Sequence, residues 1–196
     1  MLKKTLAMLA LSSLSLVAVA EEVPYTIDSS HTFPSFEADH MGGLSVWRGK
    51  FNETEGKILL DKKAKTGSVE IQIKTDSIDF GFEKMNEHAK SDEIFNVAKY
   101  PLAIYKGKLA SFNGEAPTEV QGELTLHGVT KPVNLKLNSF KCIQHPMLKR
   151  EVCGADAEAS FSRADFGIDY GAAYGFDMNV KLRIQVEAAV DVDTTK

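Results

Sequence analysis

The sequence predicts an all-β domain of about eight antiparallel strands with one short helix between strands. Apolar residues occupy every second position over 180–190, and polar or charged residues fill most of the positions between them. This period of two gives a strand one buried side and one solvent-facing side. The same alternation recurs in shorter segments, which are separated by turn sequences such as Asn113-Gly114 and His127-Gly128. Such strands hide their edges by closing into a barrel or by stacking as a sandwich, and alternation is compatible with both.

The predicted elements follow in a simple order along the chain. Before the long strand at 180–190, shorter strands are predicted at 47–51, 69–73, 102–104, 124–126 and 133–137. The segment 82–96, with the sequence FEKMNEHAKSDEIFN, breaks this rhythm. Phe82, Met85 and Ala89 recur in it at helical spacing, which predicts a short amphipathic helix that covers one end of the strands. No shift in composition marks a second domain.

The first 20 residues have the features of a secretory signal peptide. Lys3 and Lys4 precede an apolar stretch, and Ala18-Val19-Ala20 is a small-residue cleavage pattern. We therefore expect cleavage after Ala20, a single domain over 21–196, and location in a bacterial periplasm. Without the two leader lysines, the net charge of −4 becomes −6. The acidic balance argues against nucleic acid as a partner, and the remaining sequence lacks an apolar run of the ~18 residues that a transmembrane segment needs.

The two cysteines of the chain predict a disulfide bond. Cys142 and Cys153 are the only cysteines, and an exported protein with two cysteines most simply pairs them. The alternatives are a redox pair or a metal site. Their spacing is not C-x-x-C, and a metal needs more ligands than two thiols.

Motifs of common enzyme classes are absent from the sequence. It contains no G-x-S-x-G or S-x-x-K nucleophile motif, no H-E-x-x-H zinc motif and no glycine-rich phosphate loop. His31 and His40 are nine residues apart, which places them on opposite faces of a regular strand. They would need a bulge to share a metal. His88 lies in the predicted helix, where a surface position and a position at a barrel mouth are both open.

Aromatic side chains are spread over almost every predicted element, and most of them must lie in the core. In a barrel, the same side chains would also line an apolar interior with few polar groups, which suits a lipid-like ligand. The composition leaves open whether that interior is filled or hollow. The residues concerned are Phe33, Phe36, Trp47, Phe51, Phe80, Phe82, Phe95, Phe112, Phe140, Phe161, Phe166 and Phe176.

Four motifs, in order along the chain, resemble those of the YceI family. The most specific is the stretch 122–133, GELTLHGVTKPV. The others are Tyr25-x-Ile27-Asp28-x-x-His31 with Phe36 and His40, His88-x-x-Ser91 continuing to Phe95-Asn96 and Tyr100-Pro101, and Arg163-x-Asp165-Phe166-Gly167-Ile168. The resemblance implies a lipocalin-like antiparallel barrel in the periplasm that binds a long isoprenoid chain, of quinone or polyprenyl phosphate type, without established catalysis. Many relatives carry Arg-Asp before the helix histidine, where this chain has Met85 and Asn86.

Together, the residue patterns and the resemblance predict a binding protein, with an isoprenoid lipid as partner and no cofactor. The candidate ligand-binding residues are Phe36, Trp47, Phe51, His88, Tyr100 and Phe166. Two alternatives stay open at this point. One is an enzyme or metal protein in which His31, His40 or His88 meet inside the structure, and the other is a structural envelope stress protein with a filled core. The sequence does not predict an oligomeric state.

Overall fold

A computed structural model describes residues 22–192, so the predicted signal peptide over 1–20 lies outside the described residues. Fourteen strands and one α-helix, α1 (Glu83–Lys90), account for most of this range. Short 3-10 helices span Thr75–Ser77, Arg163–Phe166 and Ala172–Tyr174. Over 22–192, no helix has the length and apolar character needed to cross a membrane. The strands are β1 (Val23–Ile27), β2 (Phe33–His40), β3 (Ser45–Phe51), β4 (Thr54–Asp61), β5 (Thr66–Lys74), β6 (Ile78–Asp79), β7 (Leu102–Leu109), β8 (Phe112–Asn113), β9 (Ala116–Pro117), β10 (Glu119–Leu126), β11 (Val129–Pro132), β12 (Leu135–Gln144), β13 (Glu151–Ser162) and β14 (Asn179–Val190).

Eight strands close into an antiparallel barrel. The order around the ring is β1–β4–β5–β7–β10–β12–β13–β14, and β14 pairs back with β1. Closure pairs every strand of the ring on both sides, so the ring has no unpaired edge strand. The prediction of an eight-stranded lipocalin-like barrel with one helix is therefore confirmed.

Beyond one end of the ring, β2, β3 and β6 continue the barrel wall. In the chain, β2 follows β1, β3 precedes β4, and β6 follows β5. After β1, a turn at 28–32 leads into β2, which pairs with the first half of β14 and with β3. Asp28 forms this turn by accepting hydrogen bonds from the backbone and hydroxyl of Ser30, at 2.9 and 2.6 Å. β3 in turn pairs with β6. These continuations extend the barrel wall beyond the ring at one end.

The helix is shorter than the predicted 82–96. It ends at Lys90 because Ser91 has extended backbone angles, and the Ser91 hydroxyl donates to the carbonyl oxygen of His88 at 2.7 Å. Phe82 also differs from the prediction, since it precedes the helix in an extended conformation and is 55% exposed. Only Met85 and Ala89 of the predicted apolar face therefore pack toward the barrel.

The predicted disulfide bond between Cys142 and Cys153 is confirmed. The two residues lie directly opposite each other on β12 and β13, with an S–S distance of 2.02 Å. A turn around His145 joins the two strands, and the side chain of Cys153 is buried in the barrel core. The bond therefore links neighbouring strands of the ring.

Replacing Cys142 and Cys153 together by serine is expected to lower the free energy of unfolding by about 3 kcal/mol and to leave the barrel formed. The disulfide closes a short loop in the unfolded chain, which is the source of this stabilisation in the chain-entropy model. Urea unfolding of the wild-type protein and the variant measures the difference, with reduced wild-type protein as the control. Equal unfolding midpoints for oxidised wild type and the double variant would contradict this expectation.

Candidate functional site

The barrel encloses an elongated cavity of about 460 Å³, which we call the bore. Its wall is mainly apolar because the strands that form it turn every second side chain inward, as Leu124 and Leu126 do in β10. The bore runs from Tyr25 and Leu60 at one end of the barrel to Tyr170 at the other. A single continuous apolar cavity is thus the main feature of the interior.

The end at Tyr170, which we call the mouth, is built by three segments: the β2–β3 turn, α1, and residues 163–178. The ring of His40, at the end of β2, lies 5.6 Å from that of Phe176. On the other side, the ring of His88 in α1 lies 4.7 Å from that of Tyr170. The segment 163–178 therefore connects the strand turn to the helix around the opening.

Three of the predicted ligand-binding aromatic residues line the bore. Phe36, Trp47 and Phe51 all belong to its wall, and the ring centres of Phe36 and Phe51 are 5.9 Å apart. Trp47 and Phe51 share one face of β3, as their spacing predicts. Trp47 lies nearer the mouth, where its ring is 4.9 Å from that of His40.

Tyr100 and Phe166 do not line the bore, contrary to the sequence-based expectation. Phe166 is 1% exposed and packs against Phe161 at 5.1 Å between ring centres, so it belongs to the core. Tyr100 packs against His127 at 4.4 Å. Both residues lie outside regular strands, Phe166 in a 3-10 helix and Tyr100 just before β7, so strand alternation does not determine where they point.

The histidines occupy different environments. His88 and His40 line the mouth, and the Nδ1 atom of His88 lies 3.3 Å from the carboxylate of Glu93. His31 instead lies in the exposed turn after β1, where its Nδ1 atom is 2.8 Å from the carboxylate of Asp28. Within residues 22–192, His31, His40 and His88 do not bring three ligand atoms within 4.8 Å of one another. These three histidines therefore do not form the shared site that the metal or enzyme alternative requires.

Arg163 also lines the bore, although the sequence patterns did not indicate it as a ligand-binding residue. Its guanidinium lines the mouth and donates to the carbonyl oxygens of Ile168 at 3.0 Å and Tyr170 at 2.7 Å. Burial lowers the pKa of Arg163, while the carboxylates of Asp169, Asp177 and Asp39 favour its charged form. The arginine therefore shapes the mouth and brings a positive charge that nearby carboxylates balance. Arg163 begins the motif Arg163-x-Asp165-Phe166-Gly167-Ile168, and this position was the sequence feature that could have identified it.

Asp39 is fixed at the mouth by backbone donors. Its carboxylate accepts hydrogen bonds from the backbone N–H groups of Asp177 and Gly42, both at 2.9 Å, and of Gly43 at 2.7 Å. The bond from Asp177 and those from the glycines lower the pKa of Asp39. This carboxylate thus ties the β2–β3 turn to the segment 163–178.

Most polar atoms deeper in the bore wall have protein partners. The hydroxyl of Tyr105 donates to the carbonyl oxygen of Val133 at 2.9 Å, and that of Tyr25 donates to Glu151. Burial raises the pKa of both tyrosines, and the bond to Glu151 adds to the effect at Tyr25. Thr54 differs, because its buried hydroxyl has no hydrogen-bond partner among the described residues.

Replacing Thr54 by valine is expected to raise the free energy of unfolding of the ligand-free protein by about 1 kcal/mol, because the change removes an unpaired buried hydroxyl without altering the shape. Thr75→Val is the matched control. The hydroxyl of Thr75 is equally buried but donates to the carbonyl oxygen of Tyr100 at 2.7 Å, so its loss should destabilise the fold. Calorimetry that showed equal destabilisation by both changes would contradict this account of Thr54.

The fold and the bore define the class of protein. Eight-stranded antiparallel barrels have an interior of a size that side chains fill or that holds one small ligand, and here it is hollow and apolar. The sequence matches the YceI-like domain over residues 25–188, so the chain belongs to the YceI family. It is 35% identical to a UPF0312 protein of Shewanella denitrificans over 192 residues, covering 95% of this chain and 98% of the relative. A UPF0312 protein of Pseudomonas aeruginosa is also 35% identical, over 193 residues and with the same coverage.

Solved structures share the fold at lower sequence identity. BcnA of Burkholderia cenocepacia superposes with a TM-score of 0.64 at 17% identity, covering 82% of this chain and 98% of BcnA. A polyisoprenoid binding domain from Saccharophagus degradans gives a TM-score of 0.61 at 16% identity, covering 86% of this chain and 99% of that domain. The YceI protein of Campylobacter jejuni gives 0.64 at 21% identity, covering 76% of this chain and 88% of that protein.

Proposed function

We propose that this protein binds an isoprenoid lipid in its bore and carries it through the aqueous periplasm. The observation that carries the proposal is the continuous apolar cavity between the mouth and Tyr25. Each CH₂ group moved from water into such a cavity contributes about 0.8 kcal/mol, so a chain of several isoprene units has a large driving force for entry. A lipid of this kind is barely soluble, and a carrier that shields it would allow it to move between membranes.

The size of the bore supports a ligand-binding role over a filled structural core. Its volume of about 460 Å³ falls within the range of roughly 300–1,000 Å³ that is typical of small-molecule sites. The related fold from Saccharophagus degradans, described as a polyisoprenoid binding domain, supports the same class of ligand.

In this proposal the chain lies along Phe36, Trp47 and Phe51, and the head group stays at the mouth near His88. These residues are placed for such roles, since the three aromatic side chains line the bore and His88 lines its opening. Tyr100 and Phe166 have no contact with the ligand in this arrangement.

The electrostatics of the mouth favour a neutral head group of quinone type over a pyrophosphate. The positive charge of Arg163 is balanced by Asp39, Asp169 and Asp177, and its Nη1 and Nη2 atoms each donate to a backbone carbonyl oxygen. His88 faces Glu93, and Lys90 faces Glu87 at 3.4 Å. Apart from Lys84, which has no ion pair among the described residues, a pyrophosphate would therefore meet cations whose charge is already compensated, in a protein of net negative charge.

The periplasmic location is part of the proposal and has two supports. The leader over 1–20 has the pattern of an export signal, and the Cys142–Cys153 disulfide suits an oxidising compartment. Detection of the mature protein, beginning at Glu21, in a periplasmic extract would test it directly.

Trp47 provides a direct probe of binding, because it is the single tryptophan of the chain and lines the bore. We expect its fluorescence to change saturably when a quinone with a short isoprenoid tail is added to lipid-free protein. Free tryptophan in the same quinone solution serves as the control for quenching that does not involve the bore. A linear, unsaturable change equal to that of free tryptophan would count against binding in the bore.

A head-group comparison tests the finer part of the proposal. In competition for the same site, a quinone is expected to bind more tightly than a prenyl pyrophosphate of equal chain length, because Arg163 and His88 at the mouth already face carboxylates. The opposite order, with a preference for the pyrophosphate that Lys84→Ala or His88→Ala abolishes, would show that the mouth recognises phosphate.

A further inference from the structure

More exposed apolar side chains lie at the mouth of the barrel than at its opposite end. Eleven large hydrophobic residues are exposed among those the structure describes, and six of them belong to the three segments of the mouth or directly adjoin them. Leu44 and Tyr174 are the most exposed of the six, at 74% and 72%. Clustered exposed apolar groups in a folded protein mark an interaction surface more often than scattered ones do. The six residues, which we call the apolar rim, are Met41, Leu44, Val46, Phe82, Tyr170 and Tyr174.

Contacts between the segments show that the main part of the rim is continuous. The β2–β3 turn lies against the loop that holds Tyr174, since a Cβ atom built on Gly42 would be 3.1 Å from the carbonyl oxygen of Gly175. The same loop reaches α1 through the ring contact between Tyr170 and His88. The exposed side chains therefore surround the opening of the bore.

We propose that the apolar rim inserts into the surface of a lipid bilayer and places the mouth of the bore against the membrane. This inference rests on the proposed function. A lipid that is barely soluble is taken from and returned to a bilayer, and an apolar contact around the opening would let it pass without crossing water. Tyrosine side chains, with an apolar ring and a polar tip, suit the boundary between lipid and water.

The charges near the rim favour an electrically neutral bilayer surface. The carboxylate of Asp39 is occupied by backbone donors, and Arg48 on β3 pairs with Glu37 at 3.0 Å. Arg163 is balanced by the surrounding carboxylates. Among the described residues near the rim, Lys84 has no ion pair, but one exposed lysine is not the cluster of lysine and arginine residues by which proteins recognise anionic lipids. Docking should depend on apolar contact and respond weakly to salt.

The opposite end of the barrel supplies a matched control. The turn between β12 and β13 carries Met147, which is 81% exposed. It lies at the far end, because β13 begins beside this turn and ends at Ser162, directly before Arg163 at the mouth. A membrane contact through the rim should be insensitive to this residue.

The test is flotation of the lipid-free protein with phosphatidylcholine vesicles. We expect the wild-type protein to float with the vesicles, and Leu44→Asp or Tyr174→Asp to lower the partition coefficient about tenfold, as the loss of one buried apolar side chain predicts. Met147→Asp should leave the coefficient within about twofold of wild type. Salt up to about 0.5 M should change it little, since it screens surface charges but leaves apolar contact in place.

Parallel binding of a soluble short-chain quinone separates this inference from the proposed function. Leu44 and Tyr174 lie outside the bore lining, so their variants should bind the quinone like the wild type. Wild-type protein that binds the quinone but does not float would overturn membrane docking alone. An equal loss of flotation for Met147→Asp would also overturn membrane docking. So would a wild-type dimer that Leu44→Asp converts to monomers, because the rim would then join two copies of the chain. Failure to bind the quinone would count against the proposed function instead.

Discussion

Replacing Ala157 by tryptophan is expected to abolish isoprenoid binding while the barrel still folds. Ala157 lies on β13, is 7% exposed, and faces the bore beside Leu137 of β12 and Ile184 of β14. The added indole ring projects into the cavity and excludes the chain from the part beyond it. Exclusion of about four CH₂ groups costs about 3 kcal/mol, or roughly a hundredfold in affinity, and a longer excluded segment costs more.

Co-elution of a quinone with the protein on gel filtration, quantified by mass spectrometry, measures this loss. Ser160→Trp is the control, because Ser160 is exposed on the same strand and outside the bore lining. It adds the same ring without entering the bore and should bind like the wild type. Equal lipid occupancy in the Ala157→Trp protein and the wild type would show that the ligand does not lie in the bore.

Replacing Phe166 by alanine is expected to lower the free energy of unfolding by about 3–5 kcal/mol, the usual cost of removing a fully buried phenylalanine. Phe166 is 1% exposed and packs against Phe161 and the main core. Trp47→Ala should cost less, because Trp47 is only partly buried and faces the hollow bore. Chemical denaturation of both variants measures the difference. A larger loss for Trp47→Ala than for Phe166→Ala would contradict this division between core and site.

Binding measurements complete this comparison. The Phe166→Ala protein, at a temperature where it is folded, should bind a quinone with nearly wild-type affinity. The Trp47→Ala protein should bind it more weakly, because the ligand loses an aromatic contact in the bore wall. This result would assign Phe166 to the stability of the fold and Trp47 to ligand binding.

The strands could be predicted because most of them alternate apolar and polar residues. In β14 the alternation of apolar and polar residues matches a strand with one face on the bore and one in water. The Cys142–Cys153 bond followed from the number of cysteines and the expected compartment. Closure itself needed the family resemblance, since the same alternation would serve a sandwich. The bends at 28–32, 52–53 and 75–77 were not predicted, because they depend on pairing between distant strands.

The lining of the bore was predicted where its residues lie in regular strands and missed where they do not. Phe36, Trp47 and Phe51 were placed correctly in the bore, because parity along β2 and β3 determines which way they point. Phe166 and Arg163 lie in the segment after β13, where turns and hydrogen bonds to carbonyl oxygens set the direction of each side chain. A sequence gives no period from which to predict such a segment.

The most direct test of isoprenoid binding is extraction of the natively purified protein with organic solvent, followed by mass spectrometry of the extract. We predict a prenyl lipid in the extract of the wild-type protein and its absence from Ala157→Trp protein prepared in the same way. Wild-type protein that carries no prenyl lipid after gentle purification, and that takes up none when a quinone or a prenyl phosphate is added back, would contradict the proposal.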